Sequence, residues 1–291
     1  LGEGQLLEEP TKLSENVWEN LDAIGAFCRN QTGVKCYLML VPDAASVQRE
    51  KLPAYAPVAD QAEQLEKIRS YLEKKENPVT EIPLYEMLRE HREESLYYRT
   101  DHHWTTQGAY YAYLQAAKEM EIDTSSDAFV KSPVTRSFQG TLSAKSGFRS
   151  GEKDEIDVFL PDGDNTLSSV VNYVDEQKKS ASFYDTEKLK SRDKYALFFG
   201  GNHAKVKIST PVETNHTLLV LKDSYANSFV PFLTQHYRRI IMVDPRYYYG
   251  NLEELMQAEN VDEVLYLYNA NTFFSDTSLE LALSSESDNA S

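Results

Sequence analysis

The chain has 291 residues, enough for one large α/β domain or one domain with an insertion. Its 30 basic and 46 acidic side chains give a formal net charge of −16. With no basic stripe, this argues against nucleic acid or an anionic membrane as the main partner. No apolar run reaches the ~20 residues needed to cross a bilayer, so a soluble chain without a transmembrane segment is expected.

Ser14 is placed to cap a helix in which Val17, Trp18, Leu21, Ile24, Phe27 and Cys28 recur at helical spacing, with Gly33 ending the run. Lys35 to Pro42 is a continuous apolar run of strand length, the pattern of a strand buried on both faces. Cys28 and Cys36, the only two cysteines, fall on these two apolar patterns and read as buried thiols; their spacing fits no zinc site. Asp60 with Glu63 forms a capping box for a helix running to about Lys75, and another helix is predicted from Leu84 to Glu94. In the stretch YYRTDHHWTTQGAYYAYLQAAKEM, Thr105 or Thr106 caps a helix beginning near Gln107. Asp101 to Trp104 then occupy the turn before it.

From about Phe129 to Thr210, short β-prone runs alternate with polar turns: Val134–Phe138, Ile156–Leu160, Val170–Val174, Ala181–Tyr184, Tyr195–Phe199 and Ala204–Ile208. They suggest an antiparallel β-rich insertion over 129–210. The α/β pattern then returns. One strand is expected at Thr217–Leu221, a second from Arg239 and a third from Val261, each followed by a polar turn, with a short helix at Leu252–Glu259. The α/β part is therefore expected over 1–128 and 211–283, as one doubly wound parallel sheet split in sequence, with a disordered tail at 284–291.

Ligands of such sheets bind at the carboxyl ends of the strands, where three polar turns fall: Lys222–Ser228, Asp244–Tyr247 and Asn269–Asn271. An acid and an imidazole two apart, Asp101 and His103, can share one turn, so that the carboxylate orients the ring. Structural capping of the following helix accounts for the same pattern, and so does metal binding, although adjacent histidines rarely face one ion. Ser224 lies between an apolar strand and a helix, which suits a nucleophile or an ordinary N-cap. Asn269 and Asn271 suit oxyanion donation or turn formation. The many tyrosines suit a sugar-binding groove or plain core packing. The GxSxG elbow of α/β-hydrolases is absent.

The stretch RTDHHWTTQGAYYAY resembles the signature of the DHHW protein family, which is similar to the alginate O-acetyltransferase proteins. The segment LVPDAASVQREKLPAYAP, Leu40 to Pro57, and the strand followed by Asp223-Ser224 are alike too. The resemblance implies an SGNH-hydrolase-like fold with a triad of Asp101, His103 and Ser224, His102 taking the variable position. The acid and base precede the serine, whereas SGNH enzymes begin with it, so a circularly permuted order is expected. On that view Asn269 sits at the oxyanion asparagine position, and backbone N–H groups of Tyr225 and Arg246 complete the hole. The glycine usual beside Arg246 is lacking, Gly250 being the nearest.

The resemblance further implies acetyl transfer to a cell-surface or secreted polysaccharide through an acyl-enzyme. A membrane O-acyltransferase is the expected acyl donor partner, and no cofactor or metal is expected. A carbohydrate O-acetylesterase with the same triad is the first alternative, and a non-catalytic glycan-binding or assembly protein the second. The implied location is outside a bacterial cell membrane. The opening LGEGQ has neither the charged nor the apolar region of a signal peptide, so a leader is expected to be missing from this stretch.

Overall fold

The computed structural model describes residues 2, 4–56, 58–147, 151, 153–162 and 168–284. The N-terminal helix α1 (Glu15–Asn30) leads into β1 (Lys35–Val41) and the short α2 (Ala44–Val47). Next come α3 (Gln61–Lys74), the two-residue β2 (Thr80–Glu81), α4 (Tyr85–Glu90) and α5 (Thr106–Glu119). The caps follow from the sequence. The Asp60 side chain accepts from Glu63 N–H at the start of α3, and Thr105 Oγ1 accepts from Gly108 N–H at the start of α5. Ser14 precedes α1 without capping it; its hydroxyl donates to Phe274 O instead. Helix α4 stops short of the expected Glu94, because residues from His91 onward turn toward the DHHW segment.

The middle of the chain supplies β3 (Phe129–Phe138), α6 (Thr141–Ser146), β4 (Asp154–Pro161), β5 (Val170–Tyr173), β6 (Lys178–Ser180) and β7 (Lys205–Ser209). The last part supplies β8 (Thr217–Lys222), α7 (Ala226–Leu233), β9 (Arg239–Val243), α8 (Leu252–Glu259), β10 (Glu263–Asn269), α9 (Ala270–Ser275) and α10 (Ser278–Ser284). The expected strand at Tyr195–Phe199 is instead a 3-10 turn over Tyr195–Leu197. Phe199, Gly200 and Gly201 all adopt positive φ there. Five consecutive apolar side chains, Tyr195 to Phe199, are thereby all buried, which alternation along a strand does not allow against a single-sided core. Ala181–Tyr184 forms only an isolated bridge, Tyr184 to Phe198. The tail expected at 284–291 lies outside the described residues beyond Ser284.

One eight-stranded sheet has the order β2-β1-β10-β8-β9-β7-β5-β6. The pairs from β2 to β9 are parallel; those from β9 through β7 and β5 to β6 are antiparallel. The stretch 129–210 therefore divides. Strands β3 and β4 form a separate antiparallel ladder, while β5, β6 and β7 extend the main sheet.

Alternation along the parallel strands sends side chains to two cores. Leu38, Leu40, Leu219, Leu221, Val264 and Tyr266 pack with residues of α1, α3 and α8. Met39, Val41, Leu218, Val220, Leu265 and Leu267 pack with Trp104, α5 and α7. Helices cover both faces of the parallel part, which is why its strands read as unbroken apolar runs. The ends of β1, β10, β8 and β9 then emerge along one edge, where the polar turns gather.

Candidate active site

The site is assembled from two regions that are distant in sequence. The turn before α5 supplies Asp101 and His103; the turn between β8 and α7 supplies Ser224. Asp101 and His103 are buried, at 3% and 5% exposure, and Ser224 is half-buried. His103 Nδ1 lies 2.6 Å from Asp101 Oδ1, and its Nε2 lies 2.7 Å from Ser224 Oγ. A carboxylate only accepts hydrogen bonds, so Nδ1 carries the proton and donates it to Asp101. Nε2 is left with a lone pair for the serine hydroxyl.

Asp101 is held from four sides. Its Oδ1 also accepts from His103 N–H at 3.0 Å, and its Oδ2 accepts from Thr141 N–H at 2.7 Å and Thr141 Oγ1 at 3.0 Å. Burial alone would raise its carboxyl. The adjoining imidazoles of His103 and His102 and the Thr141 N–H outweigh this and hold it well below the usual carboxylate range. Gly140 backs directly onto it: a Cβ built there would lie 2.2 Å from Asp101 Cβ.

The Tyr195 ring stacks on His103 with centroids 3.7 Å apart and planes 12° apart. Its hydroxyl donates to Ser224 O at 3.2 Å and lies 3.1 Å from Ser228 Oγ. Trp104 Nε1 donates to Tyr225 O at 3.0 Å, and the Tyr225 hydroxyl donates to His102 O. These cross-ties fasten the DHHW turn to the serine turn. Thr141, Tyr195 and Gly140 escaped the sequence reading. They come from irregular segments where no periodicity or motif marks them.

The three groups expected to build an oxyanion hole are committed elsewhere. Tyr225 N–H donates to Asp223 Oδ1 at 2.9 Å, and Arg246 N–H to Asp244 Oδ1 at 3.2 Å. The Asn269 amide donates to Asp43 Oδ1 at 2.7 Å and Val41 O at 3.3 Å, and its oxygen accepts from Asn271 and Thr272 N–H. For Tyr225 and Arg246 turn geometry is the physical reason, since Asp223 and Asp244 each close on a backbone donor of their own turn; the Asn269 amide is drawn instead to the acceptors at the end of β1. The Ser224 N–H, by contrast, has no hydrogen-bond partner among the described residues. Asn271 also serves as a tie, its Oδ1 accepting from Thr11 N–H.

Asp101, His102 and His103 bring potential ligand atoms within 4.8 Å of one another. The donors of Asp101 and His103 are already taken up by the hydrogen bonds above, so a metal would have to break the Asp–His–Ser chain. Cys28 and Cys36 are buried free thiols, away from this edge. Among the described residues no helix is long and apolar enough to cross a membrane.

The family model for DHHW proteins matches residues 22–243, well over half of the chain. The chain belongs to the DHHW protein family. Its fold is similar to that of a DHHW family protein from Eubacterium siraeum, with a TM-score of 0.78, 21% identity, and coverage of 95% of this chain and 90% of that one. Bacillus cereus PatB1 with a sulfonyl adduct gives a TM-score of 0.76 at 21% identity, covering 96% of this chain and 95% of that one. The O-acetyltransferase domain of Pseudomonas putida AlgJ gives 0.57 at 16% identity, covering 98% of each. No functionally curated protein matches the chain by sequence. The mixed α/β architecture with a parallel-rich sheet is thus similar to that of these three structures.

Proposed function

We propose that this DHHW protein transfers acetyl groups to hydroxyls of a cell-surface or secreted polysaccharide through an acyl-enzyme on Ser224. The observation that carries the proposal is His103 bridging Asp101 and Ser224, with each ring nitrogen in hydrogen-bond reach of its partner. A serine hydroxyl is a weak nucleophile unless an adjacent base takes its proton. His103 Nε2 accepts that proton as Ser224 Oγ attacks the acyl carbonyl. Asp101 keeps the ring in the required tautomer and stabilises the imidazolium. The proton passes to the leaving group, and the acyl-enzyme remains. An acceptor hydroxyl then attacks, gives its proton to His103, and releases Ser224. The open N–H of Ser224 is our first oxyanion donor. The Arg246 guanidinium on the same edge is paired with Asp244 at 2.6 and 2.8 Å.

The relation to an O-acetyltransferase domain supports acetyl as the group carried, and fold likeness alone does not choose the acceptor. We read residues 1–128 and 211–283 as the portion carrying the triad, and the serine-last order as a circular permutation of the SGNH arrangement. Action outside the membrane, with a membrane O-acyltransferase as donor, belongs to the same proposal.

The sulfonyl adduct of PatB1 suggests the reagent for a test. Wild type and His103→Ala are treated with a small sulfonyl fluoride, then compared by intact mass and peptide mapping. A single adduct on Ser224, absent from His103→Ala, is expected. No adduct on Ser224 in wild type would refute a serine activated within this chain. Product analysis with an oligosaccharide present then separates transfer from hydrolysis: acetylated glycan supports the transferase, and free acetate alone supports an esterase.

A further inference from the structure

The first histidine of the DHHW motif, His102, has no part in the proton path above, yet its surroundings define a site. His102 Nδ1 lies 2.7 Å from Thr141 Oγ1, whose hydroxyl donates to Asp101 Oδ2 at 3.0 Å. Thr141 has one hydroxyl proton, and it goes to the carboxylate. Its oxygen can then only accept from His102. Asp101 Oδ1, 3.7 Å from His102 Nδ1, favours a proton at that nitrogen too. The ring is therefore the Nδ1–H tautomer, and Nε2 presents a bare lone pair. That nitrogen has no partner among the described residues and is open to solvent, the side chain being 28% exposed. The two imidazoles sit side by side, with centroids 3.9 Å apart. Burial, first, and the neighbouring His103 push the His102 pKa down to about 3, which keeps the ring neutral at working pH.

We propose that His102 Nε2 is the site for a second hydroxyl of the acceptor, next to the one that attacks, so that the enzyme selects polyols bearing neighbouring hydroxyls. This rests on the acyl-transfer reading. In the second half-reaction the attacking oxygen bonds to the acyl carbon, its proton passes to His103 Nε2, and the ester bond to Ser224 Oγ breaks as that proton reaches Oγ. The neighbouring hydroxyl keeps its own proton and shares it with His102 Nε2. Water and a simple monohydric alcohol fill only the first position. A sugar ring fills both.

The test uses 4-nitrophenyl acetate as donor, with cyclohexane-1,2-diol or cyclohexanol as acceptor. Acetylated product is quantified by mass spectrometry and divided by nitrophenol released, so that only partitioning of the acyl-enzyme is read. Wild type is expected to favour the diol about fivefold to tenfold, the worth of one hydrogen bond. His102→Phe, which keeps a ring but has no acceptor nitrogen, is expected to erase the preference whatever happens to the overall rate. His102→Gln, with an amide oxygen to accept, should restore part of it. Nitrogen-15 shifts of labelled wild type read the tautomer without any variant, and a proton on Nε2 would overturn the proposal. So would nitrophenol release with no diol preference, or a preference that survives in His102→Phe. Wild type that releases no nitrophenol and takes no sulfonyl adduct would instead overturn the acyl-transfer reading, and this proposal with it.

Discussion

Replacing Gly140 by alanine tests how tightly Asp101, the acid of the proposed triad, is positioned. Gly140 has φ −88° and ψ −165°, a backbone conformation that alanine adopts freely. The obstacle is Asp101 itself, whose Cβ, Oδ2 and Cγ would lie 2.2, 2.3 and 2.6 Å from the new methyl. An ordinary contact begins near 3.4 Å, so the carboxylate or the 139–141 segment must withdraw by about 1 Å. Either movement lengthens the 2.6 Å bond to His103 Nδ1 or the 2.7 Å bond from Thr141 N–H. A displacement of that size in a catalytic group costs roughly 10²-fold in rate. Overpacking of this kind costs about 1–3 kcal/mol in stability. The assay is nitrophenyl acetate turnover and the rate of sulfonylation at Ser224, with thermal melting in parallel. Gly25→Ala is the control, because its methyl would meet Asn77 Nδ2 at 2.6 Å in α1, away from the site. It should lower stability and leave the sulfonylation rate of the folded protein close to wild type. Gly140→Ala within about threefold of wild type in sulfonylation would refute the argument that Asp101 must stay where it is.

Further outcomes follow from the same geometry. Asn269→Ala should lower stability by about 1–3 kcal/mol, since it strips a donor from buried Asp43, and should leave sulfonylation near wild type. A rate loss of roughly 10²–10³ would return Asn269 to the oxyanion hole. Tyr195→Leu removes the ring stacked on His103, a contact worth about 0.5–1.5 kcal/mol. It should cut kcat roughly twofold to tenfold with KM little changed, while Tyr195→Phe keeps most of the rate; equal loss in both variants would exclude the stacking role. Asp101→Asn should lower turnover by roughly 10⁴, as the wrong imidazole tautomer does in serine triads. The depressed Asp101 pKa contributes stability that is present above the unfolded value near ~3.9 and lost as pH falls through the folded one. The stability gap between wild type and Asp101→Asn should therefore be widest near neutrality and narrow below about pH 4, measured by denaturant melts across pH.

The parallel sheet was legible because its strands are buried on both faces. Lys35–Val41 and Thr217–Lys222 needed nothing beyond their unbroken apolar runs to be found. Asp60 and Thr105 were legible as caps because capping is local, decided within three residues. Asp101 and His103 were legible as a pair for the same reason: two residues apart, they meet in one turn. Their meeting with Ser224 came through family resemblance, since 121 residues separate it from His103 and no spacing rule spans that gap. Thr141 and Tyr195 were invisible. Each acts through a tertiary contact made from an irregular segment, where polar and aromatic residues carry no period. The run Tyr195–Phe199 misled for a related reason. Composition favours a strand, but positive φ at Phe199, Gly200 and Gly201 folds the run into a buried turn against His103.

The serine turn is fixed by a buried polar chain along the sheet edge, and this accounts for the asparagine that resembled an oxyanion donor. Asp223 Oδ1 accepts from Tyr225 N–H at 2.9 Å and its Oδ2 from Asn269 N–H at 2.9 Å, tying the end of β8 to the end of β10. The Asn269 amide continues to Asp43, just beyond β1, at 2.7 Å, and Gln61 Nε2 at the start of α3 donates to Asp43 Oδ2 at 2.7 Å. Burial raises the carboxyl of Asp43 to about 7 and also lifts that of Asp223. Such groups are costly to bury unless every oxygen finds a donor. That cost is offset only while the three strand ends keep their relative heights. A chain of this kind therefore penalises any slip that would carry Ser224 away from His103. Positional accuracy of Ser224 comes chiefly from the Asp223 carboxylate one layer beneath it, whose donors are backbone N–H groups that Asn269→Ala leaves in place.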